Sequence, residues 1–260
     1  MLIMASSNAS VNPHSRRTLG FLLICFLLLV NLAYASLIRD FGYDDVLRLP
    51  AAEILRAFQN ARERLIWEWL LFALAPLLFL PAAWGLPVLL GGHGRAQPWA
   101  VFGVASALLQ CVALLRWPVL VPLLAQQHAS GDSAQQALAS GLFEVAHQFL
   151  GVGVGEFLGQ TLLLLWTAGC CRLMWAGHGR SARLLAWLGL LGVPLWLLGF
   201  SELLQTVLPQ APLIEATPAA FMLWQLWLLL VAIWLLASGP QYAAPATDHP
   251  EGRIRVQANA

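Results

Sequence analysis

Arg116, Glu156 and Glu202 stand inside apolar runs long enough to cross a membrane, and Glu68 and His147 stand at the rims of such runs. Ionised side chains are costly in hydrocarbon and persist there when they pair, line a pathway or bind something. A guanidinium at depth seeks a carboxylate, and Glu156 and Glu202 are the acids on offer. One would neutralise Arg116, leaving the other protonated or ready to accept a proton. The chemistry implied is capture of an anion or carboxylate by Arg116, with the glutamates balancing charge or carrying a proton. The same residues allow two other readings. One is a salt bridge that locks three helices together. The other is an intramembrane enzyme acting on a lipid, with Glu156 or Glu202 as acid–base and His147 assisting.

Other chemistry meets obstacles. Glu144 and His147 form one Glu-x-x-His, whereas di-metal bundles use two, so no metal site is expected. Phe143-x-x-x-His147 is similar to one motif of intramembrane prenyl-processing proteases, but the paired glutamates are missing. Gly199-Phe200-Ser201-Glu202 resembles a rhomboid serine motif, yet the last apolar run has no His to act as base. The chain has no Lys, which removes a phosphate-binding loop of the Gly-Lys type. No two His lie at matched depth on facing runs for haem, and no cofactor is implied. The four cysteines, Cys25, Cys111, Cys170 and Cys171, sit in apolar stretches without disulfide or zinc spacing.

The elements that must hold these groups follow from composition. The chain has 260 residues, 59% hydrophobic and 10% charged, against roughly 25% charged in soluble domains. A soluble fold cannot hide so much apolar surface, so the class is an all-α polytopic membrane protein. A net charge of +1 provides no footprint for nucleic acid. A crossing takes about 20 apolar residues. Six stretches qualify: 20–36, 65–90, 99–125, 146–171, 184–208 and 219–238. The expected organisation is a cytoplasmic segment 1–19, a transmembrane domain 20–238 and a disordered polar tail 239–260. The first stretch also has signal-peptide features, with Arg16 and Arg17 before it and Ala33-Tyr34-Ala35 at its end; a retained span is the reading adopted.

Arginine placement orients the spans. Arg16, Arg17, Arg95, Arg172, Arg180, Arg183, Arg253 and Arg255 fall on one side, and the loops 126–142 and 209–218 carry none. Both termini are therefore expected in the cytoplasm. All five buried ionisable residues then fall in the outer half, Arg116 roughly 13 Å deep. The first outer loop mixes five Arg with five acids. Within it, Leu49, Ile54, Leu55 and Phe58 recur at helical spacing opposite Glu53 and Arg56, which predicts an amphipathic helix from about Pro50 to Ala61. It packs across the bundle top or acts as a lid over the polar site. His93 and His178 lie in glycine-rich turns and read as solvated.

Packing signals surround the polar level. Gly151, Gly155 and Gly159 form a small-residue stripe that admits a neighbouring helix beside Glu156, internally or in a dimer. Gly153 lies on another face. Pro118 and Pro122 predict a break after Arg116.

Three segments, 41–50 (Phe-Gly-Tyr-Asp-Asp-Val-Leu-Arg-Leu-Pro), 115–122 (Leu-Arg-Trp-Pro-Val-Leu-Val-Pro) and 153–159 (Gly-Val-Gly-Glu-Phe-Leu-Gly), resemble those of the domain-of-unknown-function 4386 family of small six-span bacterial membrane proteins. The resemblance covers about Thr18 to Ala237. It implies architecture and an inner-membrane setting, but no mechanism. Phe157 stands where the family would place a His after the Gly-Glu pair, which counts against a metal. The reading adopted is a non-enzymatic integral membrane protein with the lipid bilayer as its surroundings. It would bind a small molecule, lipid or proton in an outward-opening pocket for transport or sensing. The oligomeric state is left open.

Overall fold

The computed structural model describes residues 13–43, 45–208, 210–214 and 216–237, apart from the side chains of Pro13, Glu202, Thr206 and Val207. The fold is all-α. In order come α1 (Pro13–Phe41), a 3-10 turn (Asp45–Arg48), α2 (Ala51–Asn60), α3 (Arg62–Val119), α4 (Val121–Ser130) and α5 (Ser133–Ala146). A π-helical segment (His147–Gly159) follows, then α6 (Gln160–Gly177), α7 (Gly179–Leu191), α8 (Val193–Gly199), α9 (Ser201–Val207) and α10 (Thr217–Ala237). The polar tail and the first twelve residues lie outside the described residues, as does Asp44.

Among the described residues five helical stretches are long and apolar enough to cross a membrane, against six apolar runs in the sequence. The difference lies in Arg62–Ser130, which is continuous over 69 residues. It is not straight. Gly92 takes φ 70° and ψ 165°, a conformation open to glycine because it lacks a Cβ. Trp69 and Trp117 stack at 4.4 Å with planes 7° apart. On a straight helix they would lie about 70 Å apart. Arg62 likewise donates to Gln126 Oε1 at 3.1 Å. The two arms of α3 therefore run back along each other from Gly92. Outward faces are apolar, as expected where lipid is the solvent: Leu28, Leu32, Trp67, Val119 and Met222 are all exposed.

Two apolar cores divide the bundle. The first, toward the Gly92 end, packs α1, both arms of α3, α6, α7, α8 and α10 around Phe79, Trp166, Trp224 and Trp227. Three of its buried indoles are hydrogen-bonded. Trp166 donates to Ala83 O at 2.8 Å, Trp227 to Leu185 O at 2.9 Å and Trp224 to Thr167 Oγ1 at 3.1 Å. The second core lies at the α2 end and holds Phe41, Phe58, Trp69, Trp117 and Phe143. The amphipathic helix of the first loop is present as α2. It buries Ile54, Leu55 and Phe58 in this core and turns Glu53 and Arg56 outward. Pro50 stands one residue before the helix, at its N-cap, rather than at its first position.

His93 is exposed, but His178 is half-buried, contrary to its reading as solvated. Its ring meets Trp234 edge-on at 6.3 Å, and Arg16 lies 4.7 Å over the same indole. Burial pushes the His178 imidazole below its ordinary value; a backbone hydrogen bond at Leu173 opposes this, and the Arg16 charge adds to the fall. A histidine held neutral in the fold loses stability relative to the unfolded chain once the latter protonates, below about pH 6.5. Thermal unfolding followed against pH should show the melting temperature falling below that point, with His178→Gln removing part of the slope. An unchanged slope would exclude His178 as a contributor.

Candidate functional site

The π-helical segment builds one wall of the site. Thirteen residues with i→i+5 bonding far exceed the usual single-turn bulge. The sequence permits it because four of the thirteen are glycines, which gain little from the α form. Two side chains of α3 hold it. Ser106 donates to Gly159 O at 2.7 Å and Gln110 donates to Gly155 O at 3.0 Å. The missing Cβ atoms make these approaches possible: one at Gly155 would lie 2.9 Å from Ala113 Cβ, and one at Gly159 would lie 2.9 Å from Gln110 Nε2. The stripe is thus an internal contact with α3, and Gly153 points elsewhere.

Arg116 forms the next rung. It is buried, and a Cβ on Gly151 would come within 2.7 Å of one guanidinium nitrogen. Another donates to Ala113 O at 2.6 Å, and the guanidinium lies 5.5 Å over the Trp117 ring. Nε has no partner among the described residues. Tyr43 and Glu156 are the acidic side chains whose charge reaches it. His147 opens the π segment, stacks on Phe143 at 5.6 Å and lies within reach of the Arg116 charge; its Nδ1 is buried without a partner. Glu156 faces a small recess between the π segment and the α8–α9 junction, lined also by Phe157, Gln160, Gly199, Phe200 and Leu203. Glu202 lies on α9 across that junction, but its side chain is outside the description. Pro118 sits one residue before α3 ends, and α4 starts at Val121, which is the break expected there.

Glu68 does not join this group. It lies with Arg39, Asp40 and Arg64 at the junction of α1 and α3. Asp40 receives two bonds from Arg39, at 2.9 and 2.8 Å, and lies 3.3 Å from Arg64. Glu68 Oε1 is 4.0 Å from Arg39, and the Glu68 and Asp40 carboxyls are within hydrogen-bond reach of each other. Both acids are nearly enclosed, at 13% and 8% exposure, beneath an Arg39 that is 71% exposed. Sequence reasoning placed Arg116, Glu156 and His147 together but missed Tyr43 and the indoles, since aromatic residues abound in every span. Among the described residues no three His, Cys, Asp or Glu side chains are grouped to hold a metal ion.

Trp69 and Trp117 complete the surroundings of Arg116. Both are fully buried, and the Nε1 of each lacks an acceptor among the described residues, unlike Trp166, Trp224 and Trp227 of the other core. Phe58 of α2 covers Trp117, with rings 6.3 Å apart and 21° from parallel.

A family description, Domain of unknown function (DUF4386), matches residues 18–239. No curated protein matches the chain, and no solved structure does.

Gly155→Ala should lower stability by about 1–3 kcal/mol, because the new methyl must push α3 away. Gly153→Ala, whose nearest heavy atom is 3.6 Å away, should change it by under about 0.5 kcal/mol. Equal effects in denaturant or thermal unfolding would show that the stripe does not set the helix spacing.

Proposed function

The chain belongs to the DUF4386 family, whose description names no activity, and from that starting point we propose that it is a membrane protein that captures a small anionic ligand or lipid headgroup at Arg116. It crosses the bilayer six times, the two arms of α3 counting as two spans joined at Gly92, with both termini cytoplasmic in a bacterial inner membrane. Arg116 then lies in the outer half, under α2.

One observation carries the reading. Arg116 Nε, Trp69 Nε1 and Trp117 Nε1 are buried donors without acceptors among the described residues, in and beside one core. Buried donors are nearly always paired, and orphans call for a water, ion or ligand. Three donors together ask for an acceptor-rich partner such as a carboxylate or phosphate. Glu156, facing the recess at α8–α9, balances the guanidinium when the ligand is away. Access requires α2 to lift, since Phe58 closes over Trp117. Such a site serves transport or sensing.

A second reading is favoured by the Arg116–Ala113 bond and by the packing of the guanidinium on Gly151. These make Arg116 a fold lock. The two readings separate in one experiment: thermal unfolding of wild type, Arg116→Met, Glu156→Gln and the double variant in detergent, each with inorganic phosphate, short carboxylates and anionic lipids. Ligand capture predicts a stabilising shift in wild type that Arg116→Met loses while still folding. A lock predicts no shift, a loss of about 3 kcal/mol for each single variant and partial recovery in the double, because a lone buried charge costs more than none.

A further inference from the structure

Asn31 and Gln225 are amides on the lipid-facing surface, away from both polar groups described above. Asn31 Nδ2 donates to Leu27 O at 2.8 Å and to Gln225 Oε1 at 2.5 Å. This uses both donors of Asn31 and one acceptor of Gln225. Asn31 Oδ1 and Gln225 Nε2 have no partner among the described residues, and Asn31 is exposed. The pair flanks a groove between α1 and α10, otherwise lined by Leu and Ile side chains. Asn31 lies about 8 Å inside the outer end of the apolar run 20–36 and Gln225 about 9 Å inside that of 219–238, so both sit within the hydrocarbon. Lipid tails offer no hydrogen bonds there.

The leftover atoms are one acceptor and one donor, side by side. Their complement is a group offering one donor and one acceptor, and a second copy of the same pair offers that. A two-fold axis would set Asn31 Oδ1 of each copy against Gln225 Nε2 of the other, as an isologous contact requires. The neighbouring residues fit. Phe21, Ile24, Leu28, Asn31, Ala35 and Ile38 alternate in steps of three and four along α1, and all but the half-buried Ile24 are exposed. That is the seam of a two-helix contact, with a single amide in it to fix register.

We propose that two copies of this chain pair through the α1–α10 face, with the Asn31–Gln225 amides meeting at the two-fold axis. The contact is independent of the Arg116 site.

The test is step-counting by single-molecule photobleaching of the labelled full chain in phosphatidylethanolamine–phosphatidylglycerol vesicles over a range of protein densities. Wild type should show two steps, increasingly with density. Asn31→Leu with Gln225→Leu, which leaves no orphan amide, should weaken pairing about tenfold, as expected for two interhelical bonds lost. Leu28→Cys in a Cys25→Ala background should cross-link on oxidation, which reads the same face without touching the amides. Single steps at all densities would overturn the proposal. So would pairing unchanged by the double substitution, or no cross-link at Leu28. A one-step species that retains a lipid of discrete mass in native mass spectrometry, lost in the double variant, would assign the groove to that lipid and overturn it too.

Discussion

Hydrocarbon supplies no hydrogen bonds, so every polar group in the bundle must find its partner within the protein or go without. That constraint separates the two cores. Around Trp166, Trp224 and Trp227 the chain provides a carbonyl or hydroxyl for each indole, and the result is a closed, self-sufficient packing unit. Around Trp69 and Trp117 it provides rings but not acceptors, and a guanidinium is added to the deficit.

The π segment follows from the same rule. Widening the helix shifts its carbonyls out of α register, and a carbonyl left bare in lipid is not tolerated. Ser106 and Gln110 supply the side-chain donors that make the distortion affordable, and the glycines let α3 come close enough to deliver them. Arg116 continues the line they begin, so the residue with the most unusual charge is positioned by the most unusual backbone.

Much of this was legible beforehand. The apolar runs, the amphipathic α2, the break after Pro118 and the meeting of Arg116, Glu156 and His147 each have a local cause, whether periodicity, a missing donor or depth along a helix. Other features depend on contacts distant in sequence. Glu68 reads at a depth like that of the Arg116 group but lies with Arg39 and Asp40 instead, and depth alone does not report partners. His178 sits in a glycine turn that looks exposed until Trp234 covers it. The glycines 151, 155 and 159 announced close packing but not the π form, because four-residue spacing serves either helix.

A helix that carries surplus residues in each turn is shorter than its residue count implies. The other spans can answer a thicker bilayer only by tilting less or drawing in their flanks. The stretch from His147 to Gly159 has another course: giving up π turns lengthens it, and in doing so rotates Glu156 relative to the recess it faces. In a bilayer, that would couple membrane thickness, a property of the lipid rather than of any ligand, to where this carboxylate points.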